Sequence, residues 1–132
     1  MKIFKSCIII LLSLFTFKAS SQTVDCFKFK TGKFRVTDPR IGGVTITERQ
    51  GSYQTESNEA LKLKIRFNIT WLSDCSYTLK LDQVLRNENK VEVPSNLTIS
   101  VTIIATEKDS YTQEISSSMY SSTYRCTATR QN

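Results

Sequence analysis

The chain has 132 residues, with 18 Lys and Arg against 12 Asp and Glu, four cysteines and no histidine. That length suits one domain, and without an imidazole it has no Ser-His or Cys-His nucleophilic pair and lacks the commonest metal ligand. The formal charge of +6 drops to +3 without Lys2, Lys5 and Lys18, too little to argue for a nucleic-acid surface.

Those three lysines belong to a segment that reads as a leader. Lys2 and Lys5 form a positive start, and residues 7–17 are an almost unbroken apolar run, too short to span a bilayer comfortably. Ala19-Ser20-Ser21 then supplies the small residues of a cleavage site. The expectation is a signal peptide over residues 1–21, cleavage before Gln22, and a single β domain over residues 22–132. Its setting would be secreted or periplasmic, and oxidising. Cys7 comes too early, behind Phe4-Lys5-Ser6, for a lipoprotein site, so no lipid anchor is expected, and the short apolar run argues against an integral membrane protein. Cys26, Cys75 and Cys126 remain, allowing one disulfide and one leftover thiol in three pairings. Cys26–Cys75 is favoured; closing about 50 residues, it would stabilise the fold by roughly 4 kcal/mol in the chain-entropy account. Cys126 then reads as a small buried apolar residue.

Beyond the leader, a period of two dominates. Phe27 and Phe29 alternate with Lys28 and Lys30, and Phe34 and Val36 with Lys33 and Arg35. Val44 and Ile46 mark another short strand. The Gln50-Gly51-Ser52 turn joins Arg49 to a strand carrying Gln54 and Glu56. Residues 61–71 hold the register for eleven positions, with Leu61, Leu63, Ile65, Phe67, Ile69 and Trp71 on one face. Such alternation is a half-buried strand. Ser73-Asp74 makes a tight hairpin to Cys75, Tyr77, Leu79 and Leu81. A polar loop over residues 86–90 precedes Pro94-Ser95-Asn96, which opens a strand with Leu97, Ile99, Val101 and Ile103. Tyr111 with Ile115, and Tyr124 with Cys126 and Ala128, suggest two weaker strands around a Ser-rich stretch at 116–123 that is either loop or frayed strand. No segment carries helical periodicity over three turns. The chain is therefore all-β, an antiparallel meander of seven to nine strands curled into a small calyx-like barrel, with a β-sandwich as the alternative.

Three groups of these residues carry a resemblance. The run from Cys26 through Phe34, then Arg49 with Gln54 and Glu56, then Trp71, Cys75, Tyr77 and Leu79 resemble a family of small, signal-bearing bacterial proteins with no established activity. Some of its members carry a topoisomerase IV label. The resemblance implies a shared fold and the Cys26–Cys75 pairing, and it implies no catalytic residues. A domain of this size has neither a nucleotide-binding fold nor a DNA-cleaving tyrosine motif, so the label gives no activity here. Gly32-Lys33-Phe34 is also similar to the glycine-x-tryptophan opening of lipocalins, with Phe in place of Trp, an architectural analogy only.

No Cys-x-x-Cys pair or phosphate-cradling glycine loop is present, and the carboxylates are scattered, so no catalytic residue, cofactor or metal is expected. Arg49, Gln54 and Glu56 are the candidate polar binding set. If they point inward, Arg49 and Glu56 make a charge-assisted pair at the barrel mouth. Their functional version grips an anionic head group; their structural version, the stronger of the two, is a salt bridge at a hairpin end. Phe34, Phe67, Trp71 and Tyr77 are the candidate pocket wall, though such residues more often just fill a small barrel. Lys62, Lys64 and Arg66 read as a solvated outer stripe. The function that fits is a non-enzymatic binding or interaction module, with a small apolar-ligand carrier of lipocalin-like architecture as the alternative. Its partners would be an apolar small molecule or another envelope protein, and not nucleic acid.

Overall fold

A computed structural model describes residues 24–38 and 42–132. The leader and its cleavage site lie outside the described residues. Eight antiparallel strands follow one another around a closed barrel: β1 (Gly32–Thr37), β2 (Val44–Gln50), β3 (Tyr53–Asn58), β4 (Leu63–Ser73), β5 (Ser76–Asn87), β6 (Thr98–Thr106), β7 (Ser110–Ser117) and β8 (Tyr120–Arg130). The last strand returns to the first, with Phe34 opposite Arg130 and Thr37 opposite Thr127. The curled meander is thus the fold, and the sandwich is not. The Ser-rich stretch is the tight β7–β8 hairpin, with Ser117 opposite Tyr120. Strand β5 runs on to Asn87, through part of the expected polar loop.

The β4 alternation works as read: Ile65, Phe67 and Ile69 are buried, while Lys64, Asn68 and Thr70 face out. Bulges around Lys64–Ile65 and Arg66–Phe67 bend the long β4–β5 hairpin around the cylinder. The Val44 and Ile46 signal points the other way. Thr47 and Arg49 are the buried residues of β2, and Val44 and Ile46 sit half-buried on the outer wall. Pairing decides this, since directly opposed residues share a face. Thr47 lies opposite inward-facing Phe34, and Arg49 opposite Gln54, which in turn lies opposite Phe67. Strands β2 and β3 therefore turn a polar face to the interior.

Phe27 and Phe29 do not form a strand. Residues Phe27–Phe29 are a single 3₁₀ turn, in which the Phe29 N–H donates to the Cys26 carbonyl (2.9 Å) and the Lys30 N–H to the Phe27 carbonyl (3.1 Å). The Cys26–Cys75 disulfide ties this turn to the β4–β5 connection. Lys28 Nζ reaches the Lys108 carbonyl in the β6–β7 turn at 3.1 Å. The turn thus lies across one end of the barrel, dropping Phe29 into the core and leaving Phe27 outside. A chain crossing a barrel end has no neighbouring strand to pair with, so its backbone bonds close locally.

The core has two apolar clusters. Phe29, Phe34, Val36, Ile103, Tyr111 and Ala128 fill the plugged end. Ile65, Phe67, Ile69, Tyr77, Leu79 and Val101 pack along β4 to β6. Gly32 explains the Gly-x-Phe pattern. Its φ is +125°, and a Cβ there would fall 2.3 Å from Arg130 Nη1. The space lets the Arg130 guanidinium lie 4.9 Å from the Phe34 ring centroid and donate to the carbonyls of Thr31 (3.2 Å) and Lys28.

Candidate functional site

The polar faces of β2 and β3 form a belt inside the barrel. Its centre is Arg49, 3% exposed. A guanidinium carries five N–H donors in a planar fork, and here the fork is well supplied with acceptors. Nε donates to Gln54 Oε1 at 2.8 Å and Nη1 to the Phe29 carbonyl at 2.9 Å. Nη2 donates to the Tyr77 and Tyr111 hydroxyls, each at 2.5 Å. The rings of Phe34, Tyr77 and Tyr111 surround the cation at 4.9, 4.9 and 5.4 Å. Burial pulls the guanidinium pKa down, but the two tyrosine hydroxyls outweigh it and hold the group above its ordinary value. Burial pushes both tyrosines up, against the opposing pull of Arg49, so they remain neutral phenols.

Two chains of hydrogen bonds leave this centre. Tyr77 donates to Gln113 Oε1 at 3.5 Å, and Gln113 Nε2 contacts Cys126 Sγ at 3.3 Å. On the other side Gln54 Nε2 donates to Glu56 Oε1 at 2.9 Å. The expected direct Arg49–Glu56 pair is therefore replaced by a relay through Gln54. The register explains it: Arg49 stands opposite Gln54, while Glu56 is two residues further on and opposite Thr47. Glu56 sits one step nearer the mouth than the guanidinium. Burial raises its carboxyl above the usual range, partly countered by the Gln54 bond and the Arg49 charge.

Among the described residues, the end opposite the plug is open. There a cleft of about 240 Å³ is walled by Leu63, Ile65, Phe67, Val93, Leu97 and Ile99, with Glu56 and Asn58 among its polar groups. Beneath it a small cavity of about 60 Å³ touches Arg49, Gln54, Glu56 and Tyr77. Glu56 lines both, marking the level at which apolar mouth meets polar belt. The β5–β6 loop forms one wall. Asn87 holds it by bonding both the N–H and the carbonyl of Val91, each at 2.8 Å, as a strand partner would. Asn58 caps the β3–β4 turn by accepting the Leu61 N–H at 3.0 Å. A larger concavity of about 480 Å³ lies on the outer wall, where Lys33 and Lys64 face Glu48 and Glu59 and no sign of charge prevails.

Of the residues picked from the sequence, Arg49, Gln54 and Glu56 come together inside the barrel. The four aromatic wall residues separate. Phe67 lines the cleft and Tyr77 the inner cavity, while Phe34 is packed in the plugged end. Trp71 packs against Tyr77 with ring centroids 4.7 Å apart and planes tilted by 52°, and Lys30 Nζ lies 5.0 Å from its ring. The sequence reading gave Tyr111 a strand but no site role, and missed Gln113, Asn58 and the Val91–Val93 wall. Gln113 was findable, because it shares the face of Tyr111 at a spacing of two. Among the described residues no helix is long and apolar enough to cross a membrane, and no group of His, Cys, Asp and Glu could hold a metal ion. Comparison with protein-family models, curated proteins and solved structures finds no match to the chain.

Proposed function

We propose that this chain is an exported, non-catalytic binding domain whose site is the cleft at the barrel mouth. One observation carries the reading: among the described residues, an apolar cleft of about 240 Å³ opens at the end that the 3₁₀ turn does not cover. Its volume suits a ligand of about ten non-hydrogen atoms, since an apolar cavity of about 150 Å³ accepts benzene. The polar belt below seals the floor, so the ligand sits near the surface rather than deep in a calyx. Export is supported by the leader-like first 21 residues and by the Cys26–Cys75 bond, which belongs to an oxidising compartment. The absence of histidine and the neutral, fully engaged tyrosines support a role without chemistry. A second reading, docking to an envelope protein, draws on Phe27 and Leu72, which are 69% and 68% exposed at the plugged end.

Native mass spectrometry of protein recovered from its source tests the first reading. A small molecule is expected to remain bound, and Leu97→Trp, which fills the cleft, is expected to lose it. Recovery of a ligand-free chain bound to another protein would favour the second.

A further inference from the structure

We infer that the mouth cleft takes a small apolar molecule ending in a protonated amine, with the Glu56 carboxylate receiving the ammonium. This rests on the cleft being the binding site. The charge of the walls points to a cation. Among the described residues, the lining carries Glu56 and Glu92 and no lysine or arginine, although the chain as a whole is basic. An anionic head group would therefore meet carboxylates here, not partners. The Arg49 guanidinium, which could have gripped an anion, is turned away and spent on Gln54, Phe29, Tyr77 and Tyr111.

Glu56 in turn is bonded to no cation among the described residues, and its bond to the belt comes from the neutral amide of Gln54. A carboxylate at the base of an apolar cleft gains most from a ligand that brings its own positive charge, because a charge-assisted bond in such surroundings is about twice as strong as a neutral one. The burial that lifts the carboxyl pKa expresses the same need. The geometry fits: the apolar body lies along Phe67, Leu97 and Ile99, and the head meets Glu56 where the walls turn polar.

The test is a pair of NMR titrations of the folded, disulfide-bonded protein at neutral pH, with n-hexylamine and with n-hexanol. Hexylamine is protonated there and has the same apolar length. It is expected to bind about tenfold or more tightly than hexanol, with shifts at Ile65, Phe67, Leu97 and Ile99. Glu56→Gln is expected to erase that preference, since glutamine can still accept the Gln54 bond but carries no charge for the ammonium. If hexanol binds the wild-type cleft as tightly as hexylamine, the amine assignment fails and the cleft reading survives. If neither probe moves the cleft signals, both fail. An amine preference that persists in Glu56→Gln removes Glu56 as the receiving group. The wild-type comparison decides the ligand class even if the variant does not fold.

Discussion

Replacing Arg49 by Met removes the hub of the interior while keeping most of its volume. The loss can be followed acceptor by acceptor. The tyrosine hydroxyls can rotate toward Gln113 or one another, and the Gln54 amide can turn. The Phe29 carbonyl is backbone inside the plug and has no such freedom. An orphaned buried acceptor costs about 1–3 kcal/mol. Losing the cation among three ring faces adds about 1–2 kcal/mol. The total is about 2–5 kcal/mol. It is a large share of the roughly 5–15 kcal/mol that holds a domain of this size. At about 4 °C per kcal/mol the melting temperature should fall by about 8–20 °C. Thermal unfolding followed by far-ultraviolet circular dichroism, with a parallel urea titration, measures it. Arg49→Lys should recover little, because an ammonium cannot present a planar fork to acceptors on different sides. A Met variant melting within about 3 °C of the parent would show that the hub does not organise the core.

Other perturbations test separate parts of the account. Cys75→Ser opens a loop with a sequence separation of 49 and should lower stability by up to about 4 kcal/mol in urea; an unchanged midpoint would count against the bond as a constraint. Gly32→Ala places a methyl against Arg130 at a positive φ and should cost about 1–3 kcal/mol, read as a lower urea midpoint, whereas Gly51→Ala, with nothing nearby to meet, should be limited to its backbone strain. Glu56 holds its proton more tightly in the folded state than at its ordinary value of 4.5. Its contribution is therefore full below that pH and declines as pH rises through the raised value. Melting temperatures across pH 4–8 should show that decline in the parent and a shallower one in Glu56→Gln; identical slopes would exclude Glu56 as its source.

Alternation along β4 and β5 is visible in the sequence because those strands put apolar residues in and polar residues out. The same rule misleads at β2. There Val44 and Ile46 are outside and Arg49 is inside, because the interior that β2 faces is polar and register, not hydrophobicity, sets the parity. The Phe27-Lys28-Phe29 pattern fails for a different reason. Three residues are too few to separate a strand from a 3₁₀ turn, and the bond that fixes the turn across the barrel end joins Cys26 to a residue 49 positions away. Arg49, Gln54 and Glu56 were legible as a group because one turn joins their strands. The relay through Gln54 was not, since it depends on which residue stands opposite Arg49. The cleft draws its lining from β3, β4, β6 and the β5–β6 loop, so no single stretch of sequence announces it.

The seam between β1 and β8 has a consequence for assembly. Phe34 finds Arg130 and Thr37 finds Thr127 across nearly a hundred positions of chain, so the cylinder cannot shut until its final strand has been synthesised. Until then two rims of unpaired amides stand ready to recruit strands from other molecules. The Cys26–Cys75 bond needs far less of the chain, and thiol oxidation can fasten the first half of the hoop before the last strand zips it closed.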